Sequence, residues 1–334
     1  YVLDLTRKEV RDYAYESVAS ILRSANIEYV KWDMNRHMSD AYSPALSNQG
    51  EFAHRYIIGL YEVLNRVFTP RRHILFESCS SGGNRFDLGM LCYSPQIWAS
   101  DDTDPIERLD IQSGLSYLYP QSTMGAHVSA APHQQTLRDT PLSTRFNVAA
   151  FGVLGYELEL KYMTHAELKE LRGQIEFYKA HRRTLQFGRF YRFDERKDNK
   201  VHWQVSSRDG KEHIVGHFQK LCTASEGPDA LCVHDLEPKA KYHLSCKRQS
   251  LFIKRLGGLV KHVMPIELDP DGLILRTANK FFTMPDGAEE FTASGAALMS
   301  GVGLNNQFLG TGYNDKIHMF GDFGSAVYTI ERKS

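Results

Sequence analysis

The sequence predicts an α/β chain, with part of a TIM-type (β/α) barrel over residues 1–187 and an antiparallel β-sandwich over 188–334. Three observations predict it. Short apolar runs alternate with helix-period segments in the first part. Polar clusters follow the ends of those runs, at the face where such barrels carry their active sites. Beyond Gly188 the texture changes to short alternating runs divided by turn residues.

Taken in order, Thr6-Arg7-Lys8-Glu9 has the spacing of a capping box, with Leu5 and Val10 as its hydrophobic staple. Val10, Ala14, Val18, Ile21 and Leu22 recur at helical spacing, which carries a helix to about Asn26. Ile27 to Trp32 reads as a strand ending at Asp33. Phe52, Tyr56, Leu60, Val63 and Val67 share one face of a helix from about Gln49 to Phe68, stopped by Pro70. Ile74-Leu75-Phe76 is the next strand and runs into the Ser/Gly-rich turn Ser78 to Asn84. Gln96 to Ser100 is another, ending in Asp101-Asp102-Thr103-Asp104. Asp104 then caps a helix with Pro105 at its first position. Thr123 to Ser129 adds a strand, Thr140-Pro141 opens a helix through Arg145 to Val153, and Gly155 to Leu160 is a last strand. Thr164 to Glu167 is a second capping box, with Met163 and Leu168 as staple, and begins a helix to about Leu185.

These runs give about five strands, against the eight of a closed barrel. The chain also starts at Tyr1 inside the apolar run Tyr1 to Leu5. Both features predict an excised portion with further strands upstream. In the second part, Val201 to Val205 and Ile214 to Phe218 flank Asp209-Gly210, the pattern of a hairpin with a type I′ turn. Asp271-Gly272, Asp286-Gly287 and the run Ala326 to Ile330 continue the β pattern. No solenoid-length repeat or low-complexity segment interrupts it.

Composition narrows the function. With 334 residues, 42% hydrophobic and 24% charged, the chain suits a soluble globular protein with two cores. Forty basic residues balance forty acidic ones, so the basic field of a nucleic-acid binder is missing. No polybasic run suggests a membrane surface, and no stretch of about 18 apolar residues predicts a spanning helix. The cysteines Cys79, Cys92, Cys222, Cys232 and Cys246 are odd in number and form no C-x-x-C pair. Reduced thiols in a cytoplasmic protein follow.

Three polar clusters stand at strand ends: Lys31 to Arg36, Cys79 to Arg85, and Ser100 to Asp104. Two of them offer carboxylates. Glycoside cleavage needs such a pair across the scissile bond, one to attack or activate water and one to donate a proton. Flanked by Lys31 and Arg36, Asp33 is expected to stay ionised, as a nucleophile must. Asp101 and Asp102 are neighbouring like charges, which favours a retained proton on one of them. Gly82 and Gly83 would let backbone approach a sugar ring.

The motifs Lys-Trp-Asp-Met-Asn-Arg at 31–36, Cys-Ser-Ser-Gly-Gly-Asn-Arg-Phe-Asp at 79–87 and Trp-Ala-Ser-Asp-Asp-Thr-Asp at 98–104 resemble those of bacterial α-galactosidases of glycoside hydrolase family 36. Residues 140–147, 152–158 and 322–325 are similar as well, so the resemblance covers nearly the whole chain. It implies Asp33 as nucleophile and Asp101 as general acid/base; on the residues alone Asp102 stays the alternative acid/base. It also implies that Lys31 and Asn35 hydrogen-bond galactose, that Trp32 and Met34 line the same strand end, and that Cys79 and Gly82 surround the 2-hydroxyl. The implied substrates are melibiose- and raffinose-type oligosaccharides, cleaved with retention, without metal or cofactor, by a homotetramer. Family members are longer and take further galactose contacts from an N-terminal β-sandwich and early barrel strands. This chain is therefore expected to be weakly active or inactive alone.

Other readings of the same residues are plainer. The Asp101 to Asp104 run lacks the Gly and terminal Glu of an EF-hand loop. Ser80 to Asn84 is no phosphate loop, since no Gly-Lys-Ser/Thr follows. His127 and His133 are expected to hydrogen-bond rather than bind metal, Cys79 not to act as a nucleophile, and Arg85 and Asp87 to form an ion pair. Rival functions are an α-galactosyl transglycosidase, an α-N-acetylgalactosaminidase, and a non-catalytic carbohydrate-binding or subunit-contact fragment.

Overall fold

The computed structural model describes residues 2–193, 199–224, 229–231, 233–253, 269, 272–278, 280–305 and 317–333. Tyr1, Cys232 and the Asp271 of one turn signal lie outside the described residues. The chain divides into two compact units, Tyr1–Asp101 with Thr123–Gly125, and Asp102–Ser122 with Ala126–Ser334.

The first unit contains α1 (Lys8–Ser24), β1 (Tyr29–Asp33), α2 (Phe52–Phe68), β2 (Leu75–Cys79), α3 (Leu88–Leu91), β3 (Gln96–Trp98) and the start of β4 (Met124–Ser129). The predicted face of α2 is buried at Phe52, Tyr56, Leu60, Val63 and Val67. It packs with Phe68, Phe76 and Ile97 into one apolar cluster, joined by Val30 and Trp32 of β1. The first capping box does not form. Arg7 is the N-cap of α1, without a side-chain bond. Asp4 competes for the Thr6 hydroxyl, which donates to Asp4 Oδ1 at 2.6 Å and lies 2.7 Å from the Ser43 hydroxyl, and Glu9 pairs with Arg7 instead.

In the second unit, α4 (Pro105–Leu115) is capped as expected, Asp104 Oδ1 accepting from the Ile106 amide at 2.8 Å. After the rest of β4 come α5 (Leu142–Ala149), β5 (Val153–Glu157) and α6 (His165–Phe187), whose Thr164–Glu167 capping box is complete. α5 stops short of the expected Val153 because that residue opens β5. The parallel sheet reads β1-β2-β3-β4-β5, the half-barrel that the strand count predicts.

The antiparallel part is built from β6 (Arg189–Phe193), β7 (Lys200–Ser206), β8 (Glu212–Gln219), β9 (Ala230–Leu231), β10 (Lys241–Cys246), β11 (Ser250–Phe252), β12 (Thr283–Pro285), β13 (Glu290–Ser294), β14 (Val302–Gly303) and β15 (Ser325–Arg332). Its main sheet has the order β13-β10-β15-β8-β7-β6. Period-two alternation serves two cores. Trp203, Ile214, Phe218 and Val327 pack on one face with Phe146, Tyr178 and Leu185 of the helices. Val215, Tyr242, Leu244, Tyr328 and Ile330 pack on the other.

Two turn expectations are corrected here. The β7–β8 loop closes with Gly210 N donating to Ser207 O at 3.0 Å and Ser207 N to Glu212 O at 2.7 Å. Only Gly210 takes positive φ, so this is a longer loop with one left-handed glycine rather than a two-residue type I′ turn. Asp286-Gly287 joins no paired strands, since β12 pairs with β11 and β13 with β10. Its Asp286 carboxylate is buried and accepts from the Met319 amide at 2.9 Å.

Candidate active site

In the first unit, β1, β2 and β3 run parallel, with Lys31 beside Glu77, Asp33 beside Cys79, and Glu77 beside Gln96. Strict alternation then sorts the side chains. Val30, Trp32, Phe76 and Ile97 enter the helix-facing core. Lys31, Asp33, Glu77, Cys79, Gln96 and Trp98 take the opposite face, and Asp33 stands at the C-terminal end of its strand.

Asp33 is held by its neighbours. Asn35 Nδ2 donates to Asp33 Oδ2 at 2.9 Å, and the Cys79 thiol donates to the same carboxylate. Partial burial pushes the Asp33 carboxyl up. The bonds from Asn35 and Cys79, the Lys31 charge and the Met34 amide outweigh that and hold it below the ordinary range. Cys79 is itself buried, and burial, with the Asp33 charge beside it, pushes its thiol up to about 11. It is a protonated donor at neutral pH, with no thiolate for nucleophilic work. Arg36 lines a small cleft with Asp4, Met38 and Tyr42.

A second chain of contacts leads to Asp101. The Lys31 ammonium sits 4.4 Å from the centre of the Trp98 ring, and the Trp98 indole N–H donates to Asp101 Oδ1 at 2.8 Å. Asp101 thus has one oxygen fixed and is otherwise exposed. The turn after β2 closes the circuit. Asn35 Oδ1 accepts from the Ser81 amide at 2.7 Å, and the Ser80 hydroxyl donates to the Met34 carbonyl at 2.7 Å. Gly82, at φ +81°, lies so close to the next strand end that a Cβ there would be 2.9 Å from Ser100 Cα. The absence of a Cβ permits this backbone-to-backbone packing beside Asp101.

Sequence alone does not single out Glu77, which directly follows the apolar run Ile74-Leu75-Phe76. It is 1% exposed, Lys31 Nζ is 3.3 Å from its Oε1, and Gln96 Nε2 and the Tyr29 hydroxyl donate to its Oε2. Burial pushes its carboxyl up to about 7. Period-two alternation through Ile74 to Cys79 was the signal that could have found it.

Trp32 and Met34 depart from expectation. The Trp32 ring packs 6.4 Å from those of Phe68 and Phe76 on the helix-facing side, opposite Lys31 and Asp33. Met34 Sδ receives Arg85 Nη2 at 2.7 Å and the Tyr56 hydroxyl at 3.5 Å. Arg85 feels the Asp87 charge without the direct ion pair expected, and Asp87 caps α3 through the Met90 amide at 2.8 Å.

In the second unit, Asp104 is fully buried, capping α4 and accepting from Arg138 Nη1 at 2.6 Å. The Asp102 carboxylate accepts from the Asp104 amide at 3.0 Å. His133 Nε2 lies 3.0 Å from the Thr103 hydroxyl and His127 Nδ1 lies 3.4 Å from Glu157, so both histidines hydrogen-bond. Among the described residues Cys79, Cys92, Cys222 and Cys246 are unbridged, and no helix is long and apolar enough to cross a membrane.

Comparison with known proteins gives this geometry its context. The Melibiase family model matches residues 1–188, and the glycosyl hydrolase family 36 C-terminal domain matches residues 200–330. Alpha-galactosidase 1 of Pediococcus pentosaceus is 48% identical over 245 residues, 72% of this chain and 33% of that protein. Alpha-galactosidase AgaA of Geobacillus stearothermophilus is 46% identical over 246 residues, 73% of this chain and 34% of that protein. The crystal structure of AgaA superposes with TM-score 0.79 at 37% identity, covering 99% of this chain and 39% of its own. The Lactobacillus brevis α-galactosidase gives TM-score 0.80 at 37% identity, covering 100% and 39%. AgaA variants have been solved in complex with raffinose and with stachyose. The chain spans about a third of the length of the curated relatives it matches.

Proposed function

The chain belongs to glycoside hydrolase family 36, and from that membership we propose that it carries both catalytic carboxylates of an α-galactosidase. The reading rests above all on one observation: Asp33 and Asp101 are tied to one strand-end network through Asn35, Ser81, Gly82, Lys31 and Trp98.

Asp33 is the nucleophile. Kept ionised by Asn35, Cys79 and Lys31, it attacks the anomeric carbon of a terminal α-galactosyl residue. Asp101 gives its proton to the departing glycosidic oxygen, while Trp98 fixes one of its oxygens. A covalent β-galactosyl ester forms on Asp33. Asp101 then takes a proton from water, which attacks the ester and releases galactose with its configuration retained. Lys31, Asn35, Cys79 and Gly82 border the sugar. Substrates are melibiose- and raffinose-type oligosaccharides, and the reaction uses no cofactor. The protein works in the cytoplasm as a homotetramer, and its two domains meet at residues 187 and 188.

The chain alone, which spans about a third of the length of its curated relatives, is slow, because positioning by further pocket groups is worth several kcal/mol of barrier. Hydrolysis of an aryl α-galactoside tests the reading. The expected result is a detectable rate about 10³-fold or more below that of family relatives, abolished in Asp33→Asn. Activity that survives Asp33→Asn overturns the nucleophile assignment. A normal wild-type rate overturns only the expectation for the isolated chain.

A further inference from the structure

The second unit contains a buried constellation that the sugar chemistry does not use. Cys246 ends β10, Glu289 precedes β13 and His318 precedes β15, and all three are buried. Their ligating atoms lie within 4.8 Å of one another. His318 Nε2 is 2.6 Å from Glu289 Oε2 and 4.0 Å from Cys246 Sγ. The Tyr328 hydroxyl is 3.3 Å from the same Glu289 oxygen and 3.4 Å from the same imidazole nitrogen.

We propose that Cys246, Glu289 and His318 form a structural site for one divalent cation of the zinc class. The donor set is one thiolate, one imidazole and one carboxylate, with the Tyr328 hydroxyl beside the last two. That mixture suits a borderline-soft tetrahedral ion, with bonds of about 2.3 Å to sulfur and about 2.0–2.2 Å to nitrogen and oxygen. Calcium and magnesium, which prefer oxygen ligands throughout, do not fit it.

An independent feature supports the site. Metal-bound histidine is commonly oriented by a carboxylate on its other ring nitrogen. His318 has that partner: its Nδ1 lies 3.3 Å from Asp286 Oδ2. Asp286 is in turn fixed by Gln249 Nε2 at 2.9 Å and by the Met319 and Gly287 amides at 2.9 and 3.1 Å. The Phe320 ring stacks on the imidazole with centroids 4.8 Å apart, which fixes its plane. Glu289 keeps its second oxygen on the Asn305 amide at 3.0 Å.

The ion would staple the loop at 286–289 to β10 and to the segment leading into β15.

The test is metal uptake by the purified chain after chelator dialysis, with zinc titrated against a chromophoric competitor and cobalt used as a spectroscopic probe. One equivalent per chain is expected, with a thiolate-to-cobalt charge-transfer band in the near ultraviolet and a higher thermal midpoint when loaded. Both signals should vanish in Cys246→Ser, and Asp286→Asn should weaken affinity by about 10–100-fold. Cys92→Ser and Cys222→Ser alter exposed thiols and should keep the band; its loss in either would move the site away from Cys246. Absence of stoichiometric uptake by the wild type, or a charge-transfer band that persists in folded Cys246→Ser, overturns the site and leaves a buried histidine–carboxylate ion pair.

Discussion

Replacing Glu77 by glutamine sets burial against pairing beside the candidate nucleophile. The carboxyl is 1% exposed, and burial lifts it from the ordinary 4.5 to about 7. Below pH 4.5 it is neutral both folded and unfolded, and no stability is lost. Between pH 4.5 and 7 the unfolded chain releases this proton while the folded chain keeps it, so stability falls as pH rises. Above pH 7 the penalty is complete. At about 1.4 kcal/mol per tenfold change in proton affinity, it amounts to about 3 kcal/mol. The Lys31 ammonium 3.3 Å away opposes it, which brings the expected effect to about 1–3 kcal/mol. Glutamine stays neutral at every pH and keeps an acceptor for Tyr29 and Gln96. In urea unfolding at pH 4 and pH 8, Glu77→Gln should gain about 1–3 kcal/mol on the wild type between the two conditions. A difference that does not change with pH, or a wild type that gains on the variant as pH rises, would refute the reasoning. The second outcome would mean that Lys31 pairing outweighs burial.

Further expectations follow from the same contacts. Because the Asp33 carboxyl is held below its ordinary 3.8, the acid limb of kcat/KM lies below that value. Asn35→Ala should move the limb upward in a pH–rate profile, and an unmoved limb would remove Asn35 from that role. Asp101→Asn should slow release from the galactosyl-enzyme and be rescued by azide with an activated aryl substrate, whereas Asp102→Asn should not; the reverse pattern exchanges their roles. Gly82→Ala combines positive φ with a Cβ 2.9 Å from Ser100 Cα and should cost about 2 kcal/mol or more by denaturation. Asp104→Ala breaks a buried cap and its Arg138 pair and should cost about 3–5 kcal/mol, checked by thermal melting.

The parts of this fold that were legible in the sequence are those with a strong local period. The apolar face of α2 and the complete capping box of α6 were readable because contacts within one or two turns define them. The failed box at Thr6 had the same spacing, but Asp4 and Ser43 captured its hydroxyl, and Ser43 is distant in sequence. On the sheet face, Lys31, Asp33 and Cys79 were visible in motifs, whereas Glu77, Gln96 and the Trp98–Asp101 bond depend on strand register. Parity also decided Trp32: one step along β1 separates the open face from the core. Cys246, Glu289 and His318 carry no spacing signal, since β10, β13 and the approach to β15 bring them together only in the folded chain.

The nucleophile is the carboxylate that bonds covalently to galactose. A fluorinated α-galactosyl fluoride that reacts quickly and releases slowly, followed by peptide mapping, identifies that residue directly. The predicted result is one galactosyl ester, on Asp33, lost in Asp33→Asn and retained in Asp102→Asn. An ester on another side chain, or hydrolysis with inversion of configuration and no ester, would contradict it.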